Sequence, residues 1–530
     1  MANFTFSKEQ DDIFNFAEHG LENLIVQAVA GAGKTTTLIE CANRIGDGKS
    51  ILMLAHNKST RDTLKERVGD KKNVHVYTLH GLAWRMFIEH FGSEPELDDD
   101  KYRNYINKNI STLAGEEYNK LNGPARLQYK YNVFELIDKS RHNLKQSEKE
   151  ITKMAKKKYG MTLVADECKF TSEVLKWGAS NTEVVDFQDL LWFPSQFGYI
   201  TKFYTADIIM LDEAQDASLA QQDVIKRCFT RKTRMFSFGD RDQTINSWCG
   251  SDTDAFEHLK DSDTFRRSAK EYPLTTNYRC GYKIIEYAKR FTDNNIHARE
   301  GAPEGIVNLN AHLYEIKEGD MVLCRNMAPL MEFYRIAISQ GKKVYFRGEE
   351  FGKNLKNIVD CSYGDSVKEI IFSIKRRLIA YWDFLTETTE LDKRETMLNP
   401  GVISLLDTIK AIENMPRTVE TRNDIDKFIK DVFSEEGKEG IQLSTIHKAK
   451  GLEADNVFII CPSLIPSRLA ELDWEKEEEK HLQYVMCTRP KNSLNFVTER
   501  ELAPHNAFSE SNSLYKELEK IRNEINEQEN

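Results

Sequence analysis

Two hydrophobic patterns alternate along this chain. Short apolar runs, the length of buried strands, take turns with longer stretches whose apolar residues recur every three or four positions. Leu24–Val29, Ser50–Ala55 and Val74–Tyr77 read as strands. Phe6–Ala17, the stretch from Lys34 and the segment ending at Val68 read as helices, with Ser7 as N-cap of the first. Strands alternating with helices predict a parallel sheet covered on both faces. From about Glu89 to Val184 the chain turns polar and helical in period, which predicts an inserted helical subdomain. Strands return at Asp207–Leu211 and Met235–Gly239. A second unit of the same kind starts near Gly305, with strands at Met321–Cys324 and Val344–Phe346. A polar helical block from Asp365 to Glu439 interrupts it before Ile441–Ser444, Val457–Cys461 and Leu494–Val497 restore the strand pattern. In the charged tail from Ser511, Leu514, Leu518, Ile521 and Ile525 keep helical spacing. That stripe suits a helix capping the fold or one that binds a partner.

Composition narrows the class. The chain has 530 residues, 30% charged and 40% hydrophobic, which is globular and long enough for several domains. Its net charge of −10 excludes a protein that coats nucleic acid by bulk positive charge, though not one with a local basic groove. No apolar run approaches the ~20 residues of a membrane span. Met1–Gln10 lacks the basic-then-apolar order of a secretory signal. Nine cysteines without a CxxC pair fit free thiols in a reducing compartment.

Ala30-Gly31-Ala32-Gly33-Lys34-Thr35-Thr36 follows an apolar strand and opens a helix. Glycines let backbone N–H groups turn toward phosphate oxygens, and a helix N-terminus adds partial positive charge. In such a loop Lys34 neutralises the outer phosphates and the Thr35 hydroxyl ligates Mg²⁺. Ala28 stands where the full pattern has a glycine. The apolar run Ile208–Leu211 ends in Asp212-Glu213-Ala214-Gln215-Asp216. At a strand end Asp212 reaches the metal and Glu213 orients and deprotonates water. Alone, these carboxylates read equally well as an acidic cap. Beside a phosphate loop they point to nucleoside triphosphate hydrolysis, with ATP and Mg²⁺ the default.

The remaining motifs resemble the UvrD/Rep-like helicases of superfamily 1A, in family order from Gln10 to Arg489. They are "FSKEQDDIF", "ILMLAHNKS", "VYTLHGLA", "VDFQDLL", "FGDRDQTINSWCGS", "TTNYRC", "LSTIHKAKGLEADNVFII" and "EEEKHLQYVMCTRP". The "HNKS" and "TLHGLA" wording is similar to the F-box helicase branch. The resemblance implies an α/β fold of two RecA-like P-loop motor domains with parallel sheets, each interrupted by a mainly helical insertion. On that plan, residues 1–88 and 185–300 form motor domain 1A, with 89–184 as insertion 1B. Residues 301–364 and 440–510 form motor domain 2A, 365–439 a short insertion 2B, and 511–530 a charged C-terminal helix.

The resemblance also implies roles. Gln10 reads adenine, Tyr278 stacks on it and Glu453 accepts from the ribose. Gln243 senses the γ-phosphate, while Arg279 and Arg489 stabilise the transferring phosphoryl group. His56, Asn57, Thr78, His80, Trp248, Thr445 and His447 are the contacts to single-stranded DNA, Trp248 by stacking. A buried core tryptophan is the rival reading of Trp248, and a core aromatic that of Tyr278.

The implied function is an ATP-dependent DNA helicase or translocase moving 3′-to-5′ on single-stranded DNA, with single-strand/duplex junctions as partners. It would act as a monomer in the cytoplasm, at the nucleoid in a bacterium or in host cytoplasm if viral, with room for a protein that loads it. Departures weaken part of this picture. Ala55-His56 replaces an aromatic position, and Asn246-Ser247 precedes Trp248 where relatives carry another aromatic. The second insertion is short, so strand translocation is the firmer expectation and unwinding the weaker one. Alternatives are a translocase that strips proteins from DNA, or an NTP-dependent switch or assembly subunit.

Overall fold

A computed structural model describes residues 5–497 and 511–529, apart from 122, 162, 164, 246–253, 262–264, 348, 389–395, 398, 435–438, 468–469 and 471. The chain divides into two compact units. One comprises Met1–Tyr278 with Asn294–Ile296, the other Arg279–Asp293 with His297–Asn530. The division falls after Tyr278 rather than at the expected 300. The reason is local: helix Tyr282–Ala288 packs on helix Asp473–Cys487, and Gly281 N donates to Lys491 O at 3.0 Å.

The first unit is built on a six-stranded sheet. Its order is Val74–Thr78, Ile51–Ala55, Ile208–Leu211, Arg234–Gly239, Asn23–Ala28 and Ala269–Leu274, all parallel. The inner strands are buried on both faces, which is why they read as unbroken apolar runs. Ala269–Leu274 escaped the sequence reading because it is a largely polar edge strand with Pro273 in it, a residue that only an edge tolerates. Helix Lys8–His19 starts on the expected Ser7 cap, whose side chain accepts from Gln10 N.

Between Glu96–Leu97 and Val184–Val185, which pair as a short parallel bridge, the described residues form five helices. They are Lys101–Leu113, Gly115–Lys120, Gly123–His142, Glu148–Lys157 and Glu167–Ser180. Their apolar faces share one core with Phe87, Trp192 and Phe193. A buried ionic knot ties them to helix Phe187–Phe197. Arg141 donates to both Asp186 carboxylate oxygens at 2.7 Å and to Asp189 Oδ1 at 3.0 Å. Lys101 Nζ and Tyr102 OH donate to Asp189 at 2.7 and 2.6 Å.

The second unit carries a seven-stranded parallel sheet. Its order is Ile306–Ala311, Pro490–Val497, Ala454–Ile459, Met321–Cys324, Ile441–Thr445, Val344–Arg347 and Phe433–Ser434. Its helical block begins earlier than expected, at Glu349–Asp360, and continues through Val367–Thr388, Pro400–Glu413 and Arg422–Val432. Helix Ser511–Glu529 buries Leu514, Leu518, Ile521 and Ile525 against this block. Arg522 pairs with Asp383 at 2.6 Å and Lys375 with Glu524 at 3.0 Å, so the apolar stripe of the tail is used inside the chain.

The two units thus give an α/β protein with two parallel sheets, each accompanied by a helical block. Among the described residues no helix is long and apolar enough to cross a membrane.

Candidate nucleotide site and nucleic-acid face

Three neighbouring strands of the first sheet end at one corner: Asn23–Ala28, Arg234–Gly239 and Ile208–Leu211. Sites in open parallel sheets gather at such carboxyl ends. After the first strand, Gly31 and Gly33 take φ values of +67° and +75°, which side-chain-bearing residues resist. Helix Lys34–Ile45 then starts on Gly33 with no side-chain cap. An uncapped start presents N–H groups and a positive dipole end suited to an anion.

Lys34 Nζ lies 2.5 Å from Glu213 Oε1 and 3.6 Å from Asp212 Oδ1. Burial works against its charge, but the Glu213 and Asp212 carboxylates override that and hold its pKa above the ordinary lysine value. Thr35 Oγ1 donates to Asp212 Oδ2 at 3.5 Å. This hydroxyl–carboxylate pair fits Mg²⁺, which takes hard oxygen ligands, keeps several waters and needs only one or two from the protein. Glu213 sits at φ +53°, a conformation costing a non-glycine residue about 1–3 kcal/mol. Gln215 Nε2 donates to Glu213 Oε2 at 2.6 Å, and Gln215 Oε1 accepts from Asp240 N at 3.1 Å. Gln243 Nε2 donates to Asp240 Oδ2 at 2.7 Å. Burial and the Asp242 carboxylate push Asp240 up to about 7.

The expected base-reading residues border this corner. Gln10 is buried; its Nε2 donates to Thr37 Oγ1 at 3.0 Å, which in turn donates to Gly33 O at 3.1 Å. Its Oε1 accepts from Ser7 N, so the amide also staples its own helix. The Tyr278 ring is 40% exposed while its backbone N–H donates to Gly31 O at 2.9 Å. Asn277 Nδ2 donates to Ala30 O at 2.6 Å, and Thr36 Oγ1 accepts from Arg67 at 3.1 Å. Ala32 N donates to Val29 O at 3.1 Å.

Strands Ile51–Ala55 and Val74–Thr78 end at the far side of the same sheet. Asn57 and Thr78, expected to touch DNA, are helix N-caps: Asn57 Oδ1 accepts from Thr60 N at 2.8 Å and Thr78 Oγ1 from Gly81 N at 3.0 Å. Burial and the neighbouring His56 ring push His80 down to about 4. His142, joined to Gln188 Nε2 at 3.2 Å, is pushed down to about 3 by burial, Arg141 and His80. Phe187, 50% exposed, stands edge-on to His80 with ring centres 6.0 Å apart. Trp248 lies outside the described residues.

Arg279, Glu453, Arg489, Thr445 and His447 belong to the second unit. Arg279 Nε donates to Glu453 Oε2 at 2.8 Å and its NH1 to Thr488 O at 3.1 Å. Glu453 also pairs with Lys491 at 2.8 Å; burial opposes its charge, but Lys491 and Arg279 hold the carboxyl below its usual range. Arg489 is 1% exposed and donates to Val485 O, Leu452 O and Thr488 Oγ1 at 2.9, 3.2 and 3.0 Å. Both arginines are therefore engaged within their own unit. Thr445 closes strand Ile441–Thr445, and burial with the Arg325 guanidinium keeps His447 well below the usual imidazole range.

Comparison with known proteins adds a second line. Residues 8–264 match the UvrD/REP helicase N-terminal domain and residues 353–501 the UvrD-like helicase C-terminal domain, together more than half of the chain. The chain belongs to the UvrD/Rep helicase family. It is 23% identical over 415 residues to a probable DNA helicase II homolog of Mycoplasma pneumoniae, covering 73% of this chain and 54% of that protein. It is 25% identical over 527 residues to F-box DNA helicase protein 1 of Schizosaccharomyces pombe, covering 89% and 55%. With the ATP-dependent DNA helicase PcrA of Bacillus subtilis it shares 24% over 299 residues, 51% of this chain and 38% of that one. The chain thus spans about half the length of the first two relatives.

Within this UvrD/Rep chain, four residues at the two corners were passed over by sequence reasoning. Asp240 ends a buried strand as Asp212 does, and that shared position was the available signal. Phe187 sits between Asp186 and Asp189, which turn inward to the ionic knot while the ring turns out. Gln215 and Asn277 stand inside quoted motifs, but their contacts to Asp240 N and Ala30 O are distant in sequence and gave no local sign of what they hold.

Proposed function

We propose that this chain is an ATP-dependent DNA helicase of the UvrD/Rep type, a DNA-stimulated ATPase that couples hydrolysis to 3′-to-5′ movement along single-stranded DNA. The observation carrying this reading is Lys34 set between Glu213 and Asp212 at the mouth of an uncapped glycine turn. An arriving triphosphate competes for Lys34 and frees Glu213 to take the proton of the attacking water. Gln10 and Tyr278 flank the base, and Gln243 reports the γ-phosphate. Thr35 and Asp212 would hold Mg²⁺, which offsets phosphate charge. Arg279 and Arg489 serve the phosphoryl group only by exchanging the partners that now hold them. His56, Asn57, Thr78, His80, Thr445, His447 and Trp248 remain the proposed DNA contacts, joined by Phe187. On this reading the first unit is motor domain 1A with insertion 1B, and the second is motor domain 2A with insertion 2B. The relatives are DNA helicases by name, which supports DNA as the track.

The test is ATP turnover by the wild type and by Lys34→Ala. Turnover retained in the variant removes the nucleotide-site assignment. Strand displacement on 3′- and 5′-tailed duplexes then separates a helicase from a translocase that only strips proteins, and reads polarity.

A further inference from the structure

Gln215 joins two parts of the nucleotide corner that the sequence keeps apart. It is 1% exposed, and both ends of its amide are used. Nε2 donates to Glu213 Oε2 and Oε1 accepts from Asp240 N, at 2.6 and 3.1 Å. Beyond Asp240 the line continues to Gln243 Nε2 at 2.7 Å and to Asn294 Nδ2, which donates to Asp240 Oδ1 at 3.4 Å and Asp242 Oδ2 at 2.9 Å. The fold clears a passage for this bridge. A Cβ at Gly239 would lie 2.2 Å from Gln215 Oε1 and 2.8 Å from Phe256 Cζ. The Glu213 carboxylate is thus held on one oxygen by Lys34 and on the other by Gln215.

We propose that Gln215 is a positioning residue that aims the Glu213 carboxylate and relays to it the state of the Asp240–Gln243 loop. This rests on the reading of Glu213 as the group that takes the proton from water. A triphosphate that draws Lys34 away leaves the Gln215 amide still holding the other oxygen of Glu213. A shift of Gln243 passes through Asp240 to the backbone N–H that Gln215 accepts from, and so to the angle of the carboxylate. Coupling between loops then travels by hydrogen bonds already present, and a double-mutant cycle is the evidence such a claim needs.

The experiment uses the full chain with Gln215→Met, which keeps length and removes both hydrogen-bonding ends, and Gln215→Asn, too short to span both partners. Turnover with and without oligo-dT, KM for ATP, affinity for a fluorescent ATP analogue and melting temperature are measured for each. We expect DNA-stimulated kcat to fall roughly 10–100-fold, the effect of misaiming a catalytic group, while KM and analogue affinity hold. Gln243→Ala added to Gln215→Met should cost no more than the worse single change. The inference is overturned by full turnover in a folded variant, by losses that add, or by kcat, KM and melting temperature falling together. A set in which neither variant folds assigns Gln215 to structure and overturns it too. Wild-type chain without ATPase, or Glu213→Gln with intact turnover, sinks the underlying reading; loss in Glu213→Gln with retention in Gln215→Met sinks this inference alone.

Discussion

At one corner of the six-stranded sheet the strands end in Lys34, Asp212, Glu213 and Asp240; at the other they end in His56 and His80, with Phe187 alongside. The same parallel architecture delivers both sets. At the first, burial is overcome: two carboxylates keep Lys34 charged. At the second, burial prevails: His80 and His142 are pushed to about 4 and 3, so both are neutral at pH 7. An uncharged imbalance of this kind separates tasks. The first corner suits phosphate, and the second suits ring faces and neutral hydrogen bonds.

The largest effect should come from the charged corner. Lys34→Ala should lower ATP turnover on the order of 10³-fold and leave single-strand affinity nearly unchanged; parallel losses in a binding titration would merge the two corners. Arg141→Ala removes the cation that bridges the buried Asp186 and Asp189 carboxylates, leaving Lys101 on Asp189 alone, and should cost about 3–5 kcal/mol in denaturant unfolding. A near-neutral result would mean that the knot does not hold the insertion. Phe187→Ala should weaken single-strand binding by ~1–3 kcal/mol without moving KM for ATP; the reverse order would place Phe187 in the nucleotide corner's service.

The neutral corner also has a pH signature. Between pH ~4 and ~6.5 the unfolded chain binds protons that folded His80 refuses, so stability is full above that window and lost as pH falls through it. Melting scans should show a drop from pH 7 to 5 that His80→Gln with His142→Gln lessens; an unchanged slope contradicts the neutral assignment. The smallest effect is on salt. His80→Ala should leave the slope of log affinity against log salt unaltered, because a neutral ring releases no counterion, whereas a positive His80 would add roughly 0.7 to it.

These corners were unequally legible in the sequence. Met321–Cys324 and Ile208–Leu211 could be read almost to the residue because strands buried on both faces must be apolar throughout. Ile306–Ala311 and Ala269–Leu274 were missed because edge strands face water and carry polar residues. The glycine turn and Asp212-Glu213 announce themselves by local spacing. Asp186 and Asp189 look like a solvated helix start, and partners distant in sequence, Arg141 with Lys101 and Tyr102, reveal them as buried anchors. Asn57 and Thr78 precede helices and could have been read as caps from that position alone.

The most direct measurement is the rate of ATP hydrolysis by the full chain as single-stranded DNA is titrated in. The account predicts a slow basal rate that climbs and saturates, a response that Phe187→Ala shifts to higher DNA concentration and Lys34→Ala removes. A rate indifferent to DNA at every concentration would contradict it.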